Sequence, residues 1–164
     1  MSTEGIAKMR NTGGCNATRW VVALGLILGS TLLLAHSGAS GVVKERMDLM
    51  KSVGDEMKAI GAMIKGQQPF DAVKIRAGAA LIAQKSDEVE ALFPEGSLEQ
   101  PTEALASIWD RWPEFSRLTQ RLRQEAQQLS QKAEEGNRQE VLRQFAALGK
   151  VCSGCHTDFR KEQE

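Results

Sequence analysis

Apolar residues recur at helical spacing along most of the chain after residue 41. In the first such segment Val43, Met50, Met57 and Ile64 repeat every seven residues, with further apolar residues between them. This spacing places the apolar side chains on one face of an α-helix. Gly66 follows the segment directly. The pattern therefore predicts a first helix that begins near residue 42 and ends before Gly66.

Three later segments show the same periodicity. The second begins near Phe70, the third begins near Pro113, and the fourth follows Gly136-Asn137. A short helix is also expected within residues 104–112. The predicted stripes are Ile75, Ala79, Ile82, Ser86, Val89 and Phe93, then Phe115, Leu118, Leu122, Leu129 and Ala133, then Leu142, Phe145, Leu148, Cys152, Cys155 and Phe159. Four helices of about 20–24 residues with single apolar stripes predict an all-α fold, an antiparallel four-helix bundle.

Composition supports this fold class and excludes one class of partner. Helix-forming residues dominate, tyrosine is absent, and β-branched runs are scarce. The 21 basic and 21 acidic side chains balance, and no basic run is present. We therefore expect no binding to nucleic acid.

The N-terminal part of the sequence differs from the remainder. Basic residues precede an uncharged apolar run over residues 20–35, and small residues follow it. This order is typical of a secretory signal peptide. We expect residues 1–39 to be a signal peptide and residues 40–164 to be the exported, periplasmic domain. The alternative is that the apolar run stays as an uncleaved anchor in the inner membrane, with the domain facing the periplasm.

The fourth segment carries the sequence "VCSGCH", in which Cys152, Cys155 and His156 lie at positions i, i+3 and i+4. On a helix these three residues share one face. Two thiols at this spacing can form thioethers with the two vinyl groups of haem, and the adjacent imidazole can then bind the iron. The motif therefore predicts one covalently attached haem c.

Three other interpretations of the motif remain open. A structural zinc site needs four ligands, but the predicted mature domain offers only these three Cys and His residues. A thioredoxin-like pair needs a strand–helix setting, which the pattern does not predict. A disulfide would leave the histidine without a role. The predicted export signal and the shortage of other ligands favour haem.

A sixth iron ligand from the protein would have to lie before the motif, and the methionines of the first segment are the candidates. They are Met47, Met50, Met57 and Met63. Filling irregular space in the core is the ordinary role of methionine. Met50 lies on the heptad stripe, so we expect it to face the interior, where it either binds the iron or crowds the side opposite His156.

At this level of detail the sequence resembles the cytochrome c′ family, four-helix haem proteins with Cys-x-x-Cys-His near the C-terminus. The matching pieces include "VKERMDLMKSVG", "LFPEGS", "IWDRWPEF" and "GKVCSGCHTDFRK". The resemblance implies that Cys152 and Cys155 form the thioethers and that His156 is the axial ligand. It implies a propionate contact for Arg46 and a place beside the histidine ring for Arg160.

The resemblance leaves two functions open. In cytochromes c′ the residue at the position of Met50 does not bind, and the iron is five-coordinate and takes up nitric oxide and carbon monoxide, with a possible role in electron transfer. In similar low-spin proteins a methionine at this position binds the iron, and the protein carries electrons. We expect the first function, no enzyme activity, periplasmic redox partners, and a homodimer through the first two helices.

Overall fold

The backbone is helical along most of its described length. The computed structural model describes residues 38–162. The helices are α1 (Gly41–Ile64), α2 (Ala72–Ser86), the single turn α3 (Ser107–Asp110), α4 (Trp112–Glu134) and α5 (Arg138–Phe159). One turn of 3-10 helix lies at Glu90–Leu92. The prediction of an all-α, four-helix bundle is confirmed, with α1, α2, α4 and α5 as the long helices.

The helix ends follow local chemistry. Asp71 caps α2, its carboxylate accepting hydrogen bonds from the backbone N–H groups of Val73 and Lys74. Asn137 caps α5 in the same way, accepting from Gln139 and Glu140. Such side-chain caps satisfy N–H groups that have no partner within the helix. The break predicted at Gly136-Asn137 therefore ends one helix and begins the next.

Neighbouring helices run antiparallel. Arg76 near the start of α2 lies by Glu134 at the end of α4, and Asp87 just after α2 lies by Arg123. The α4–α5 turn spans only residues 135–137. Close backbone approaches link α1 to α2, α2 to α4 and α4 to α5, while α1 and α5 have no extended approach of this kind. The four long helices thus form a ring that is least tightly closed between α1 and α5.

The second helix is shorter than predicted. It ends at Ser86, and the chain then turns through the 3-10 segment. Val89 and Phe93 are still buried, as the predicted stripe required. Apolar spacing identified the core positions correctly, although it did not show that the last two belong to a turn, because turn residues can continue a helical stripe into the core.

The first and last helices are rotated slightly from the predicted orientation. In α5, Val141 is fully buried, whereas Leu142, which was predicted to lie on the stripe, is 37% exposed. In α1, Leu49 and Met63 are buried, while Met50 and Met57 are only half-buried against the core. Met50 and Met57 therefore lie at the edge of the core, whereas Val43 at the start of the same stripe is buried.

Gly78 lies where α2 crosses α1. A Cβ atom at this position would lie 2.5 Å from Glu56 Oε2 and 3.3 Å from Ile60 Cδ1. The absence of a side chain at Gly78 therefore allows α1 to approach α2 closely. Ala77 and Ala80 remain exposed on the outer side of α2.

Nearly all of the predicted signal peptide, residues 1–37, lies outside the described residues. Among residues 38–162, no helix has the length and apolar character that crossing a membrane requires.

Replacing the cap of α5 tests how far the bundle depends on it. We expect Asn137→Ala to lower the free energy of unfolding by about 1 kcal/mol, because two backbone N–H groups lose their acceptor. Urea denaturation measures the change. Asn137→Ser should restore most of the loss, since a hydroxyl also caps. Equal stabilities for the Ala and Ser variants would contradict this role for the side chain.

Candidate cofactor site on the last helix

The three residues of the motif lie on the last two turns of α5. Cys152 and Cys155 are half-buried, and neither forms a disulfide. Cys155 packs against the main hydrophobic core. His156 is more exposed than either cysteine. The helix therefore presents two unpaired thiols and an imidazole on one continuous face.

The protonation states suit thioether formation and iron binding. Burial raises the pKa of Cys152, and burial together with the charges of Cys152 and Asp158 raises the pKa of Cys155 to about 11. Both thiols are therefore protonated at neutral pH. Partial desolvation is the main cause that lowers the pKa of His156 below its ordinary value, and the positive charge of Arg160 adds to it. Its imidazole is therefore neutral at pH 7 and has a lone pair to offer a metal.

Met50 lies across the bundle at the level of His156. The ring of Phe145 on α5 lies 3.4 Å from a Cβ built on Gly61 of α1, so these two residues are opposite each other. Met50 comes eleven residues before Gly61, and His156 comes eleven residues after Phe145. Because α1 and α5 are antiparallel, going backward along α1 and forward along α5 leads toward the same end of the bundle. Eleven residues cover about 16 Å at 1.5 Å per residue. Met50 and His156 therefore lie at the same level of the bundle, on different helices.

Both helices have small residues beside these positions. Gly54 follows Met50 by one turn, and Gly149 precedes His156 by two turns. A Cβ atom at either glycine would meet no protein atom within 4 Å. With two thiols and an imidazole on one helix and a thioether opposite them, these residues fit a flat porphyrin held between α1 and α5.

Arg46 lies one turn before Met50 and is only 5% exposed. Its guanidinium donates to the carbonyl oxygen of Leu92 from Nε at 3.0 Å and from Nη2 at 2.8 Å. It also donates to the hydroxyls of Ser97 at 2.6 Å and Thr102 at 3.0 Å, and to the Ser97 carbonyl. The cation stands over the ring of Phe93, 3.9 Å from its centroid. Burial lowers its pKa.

These contacts change the interpretation of Arg46. The sequence predicted a contact with a haem propionate, but in this structure the loop over residues 92–102 occupies the N–H groups of the side chain. A propionate could bind only by displacing some of these bonds. Arg46 is here the anchor of a loop, and the propionate contact stays a prediction.

A short segment holds the end of α5. The N–H of Leu105 donates to the carbonyl of Phe159 at 3.0 Å, and the N–H of Lys161 donates to the carbonyl of Glu103 at 2.8 Å. We call this antiparallel pairing of residues 103–105 with residues 159–161 the C-terminal clamp. Within it Arg160 donates from Nε to Glu103 Oε2 at 2.7 Å, and its Nη2 forms an ion pair with the same carboxylate. Arg160 lies four residues after His156, and its place beside the histidine ring stays a prediction.

Several of these residues could not be recognised from the sequence. Ser97 and Thr102 are buried polar residues in a stretch that reads as an ordinary loop. Glu103 is an acidic residue among others in that stretch. Their roles depend on the distant residues Arg46 and Arg160, and one sequence carries no signal for such pairings. The one available hint is that Arg46 lies three residues after Val43, on the apolar face of the first helix, where a charged side chain needs buried partners.

Zinc finds little support in this geometry. Across residues 38–162 no three or more Cys, His, Asp and Glu side chains cluster as a metal site would require. A four-helix bundle that carries Cys-x-x-Cys-His at the end of its last helix defines a bundle-type c-type cytochrome.

The chain belongs to the cytochrome c′ family. The family model described as Cytochrome C′ matches residues 41–160. Cytochrome c′ of Pararhodospirillum photometricum is 37% identical over 120 residues, which are 73% of this chain and 95% of that protein. The predicted resemblance is confirmed, and so is the cofactor, since proteins of this family carry one covalently bound c-type haem.

Solved structures agree with this assignment. Cytochrome c′ from Shewanella frigidimarina has a TM-score of 0.71 and 30% identity, covering 74% of this chain and 94% of that one. A nitric oxide complex of a variant of cytochrome c′ from Alcaligenes xylosoxidans has a TM-score of 0.67 and 26% identity, with the same coverage of 74% and 94%. The bundle described above is thus the fold of haem proteins, one of which has been solved with a bound gas.

Removing the buried guanidinium should show how much the loop depends on it. We expect Arg46→Met to lower the free energy of unfolding by about 2–4 kcal/mol, because buried acceptors in the loop lose their donors. Arg46→Lys should recover only part of this, since one ammonium cannot span the same acceptors. Denaturant unfolding of the holoprotein measures both.

Lys44→Met is the matched control, because Lys44 lies on the same helix but is exposed and paired only with Asp48. Its effect should stay within about 0.5 kcal/mol. An Arg46→Met variant as stable as Lys44→Met would show that the loop does not need the anchor.

Proposed function

We propose that this chain binds small neutral gases, nitric oxide and carbon monoxide, at a five-coordinate haem iron. Cys152 and Cys155 attach the haem through thioethers, and the neutral imidazole of His156 is the axial ligand. The bound haem supplies an iron with one open coordination position, to which such gases bind. The observation that carries the proposal is the close approach of Phe145 to Gly61, which puts Met50 on α1 at the level of His156 on α5.

The side chain opposite His156 favours neutral gases over dioxygen. The thioether of Met50 has no N–H or O–H to donate. Bound dioxygen is polar and is stabilised by a hydrogen-bond donor, whereas nitric oxide and carbon monoxide need none. The nitric oxide complex of the Alcaligenes xylosoxidans relative supports the same ligand class. No distal acid or base is supplied by Met50, so we propose a binding protein and not an enzyme.

The same geometry favours a second function. Because Met50 lies at the level of His156, its sulfur is also the best-placed sixth ligand in α1. Two protein ligands would close the iron to gases, and methionine would raise its reduction potential. The chain would then carry single electrons between periplasmic redox partners. The two functions differ only in whether the sulfur binds.

Export and assembly complete the proposal. We infer that the domain works in the periplasm, where the predicted leader would deliver it, with an inner-membrane anchor as the alternative. We also infer a homodimer through α1 and α2. Val73, Ala77 and Ala80 share one exposed face of α2, at spacings of four and three residues.

Covalent attachment is the first test. When the chain is exported in a host that matures c-type cytochromes, we expect its mass to rise by one haem and both thiols to resist alkylation. Cys152→Ser and Cys155→Ser should each keep one thioether at most, which shifts the absorption band of the pyridine complex. A colourless protein with two reactive thiols would rule out both functions.

Met50→Ala separates the two functions. For five-coordinate iron we expect a high-spin spectrum before and after the change, and faster carbon monoxide uptake by the variant because the smaller side chain opens the distal face. Absorption spectroscopy and stopped-flow mixing measure these properties. Conversion from low spin to high spin would instead establish Met50 as the sixth ligand and the chain as an electron carrier.

Met57→Ala is the control for this substitution. Met57 lies two turns further along α1, is half-buried like Met50, and packs against the same core. It should leave both the spin state and the carbon monoxide rate unchanged. An equal effect of both variants on the rate would show loosening of the helix and not access to the iron.

A further inference from the structure

The C-terminal clamp brings one carboxylate to the turn that carries the axial ligand. A backbone bridge pairs Ala104 with Arg160, and Glu103 directly precedes Ala104. The Glu103 carboxylate binds both Nε and Nη2 of the Arg160 guanidinium. The bridge fixes the two backbones, so the pair is held by more than its own attraction. Arg160 therefore has a defined position and not the freedom of an exposed side chain.

The position of Arg160 is tied to His156. The N–H of Arg160 donates to the carbonyl of His156 at 3.2 Å, which closes the last turn of α5. Arg160 ends α5 in an extended conformation, so its side chain leaves the helix at the turn that carries His156. The guanidinium is near enough for its charge to act on the imidazole, and the carboxylate of Glu103 holds it there.

We propose that Glu103 is a positioning residue for the proximal side of the haem. Its carboxylate holds Arg160 in place and cancels part of the positive charge beside His156. This inference rests on the proposed function, because it requires His156 as the axial ligand. Ferric iron carries one more positive charge than ferrous iron, so an uncompensated cation nearby favours the ferrous state. Glu103 therefore lowers the reduction potential.

Reduction potentials of the holoprotein test the proposal. We expect Glu103→Gln to raise the midpoint potential at low ionic strength, because Arg160 loses its counter-charge. Arg160→Gln should lower it, and the double variant should lie between the two. The upward shift should shrink at high salt, since the pair is partly exposed and its charges are screened. Glu103→Asp keeps the charge and should retain most of the wild-type potential.

Glu95→Gln is the matched control. Glu95 is an exposed acid in the loop before the clamp, and its substitution removes the same charge as Glu103→Gln. It should leave the potential close to wild type. A merely structural role for Glu103 predicts that the double variant departs further than either single variant, and that salt has no effect on the shift. Either result would overturn the proposal.

The outcomes also separate this inference from the proposed function. A wild-type chain without covalent haem overturns the proposed function, and the inference with it. A wild-type chain that carries haem, with equal potentials for Glu103→Gln and Glu95→Gln, overturns the inference alone. Haem content, measured from the pyridine complex of every variant, distinguishes these cases.

Discussion

The burial of one charged side chain organises the part of the molecule that surrounds the site. A guanidinium that is 5% exposed is tolerable only if its N–H groups have acceptors, because an unpaired charge in the interior is strongly unfavourable. Arg46 obtains them from the loop over residues 92–102, which must fold back onto α1 to supply them. Thr102, one of the acceptors, directly precedes the clamp that fixes the end of α5. The hydrogen bonds of Arg46 on α1 thus help to fix the position of α5, the helix that carries the two cysteines and the histidine of the motif.

The bundle divides its faces between stability and function. The α2–α4 contact is the most extensive in the structure and contains fully buried residues such as Ile82 and Leu129. The opposite pair, α1 and α5, meet through an aromatic ring on a glycine and have little backbone approach. A protein that packed all four seams equally would have no room for a porphyrin. Stability therefore comes mainly from one side of the ring, and the site is built on the other.

Features that depend on neighbouring residues could be predicted from the sequence, whereas contacts between distant residues could not. Helix periodicity and the motif of Cys152, Cys155 and His156 are local, so the fold class and the cofactor were both predictable. The end of α2 was not, because Val89 and Phe93 continue the apolar stripe from a turn. The burial of Val141 in place of Leu142 was not predictable either, because it depends on how the start of α5 meets its neighbours, whereas Leu148 and Phe159 are buried as predicted. The partners of Arg46 and Arg160 were the least accessible, since residues more than forty positions apart supply them.

Whether Met50 binds the haem iron depends on the distance between α1 and α5. Met50 and His156 lie at the same level of the bundle, on these two helices. The ring of Phe145 lies against Gly61 where these helices approach, eleven residues from Met50 and from His156. A glycine there lets the ring contact the backbone of α1, and the ring itself keeps the helices apart. Two rigid helices carry this separation along the bundle, since interiors this closely packed transmit displacement and do not absorb it. The contact of Phe145 with Gly61 therefore belongs to the same two helices that carry Met50 and His156.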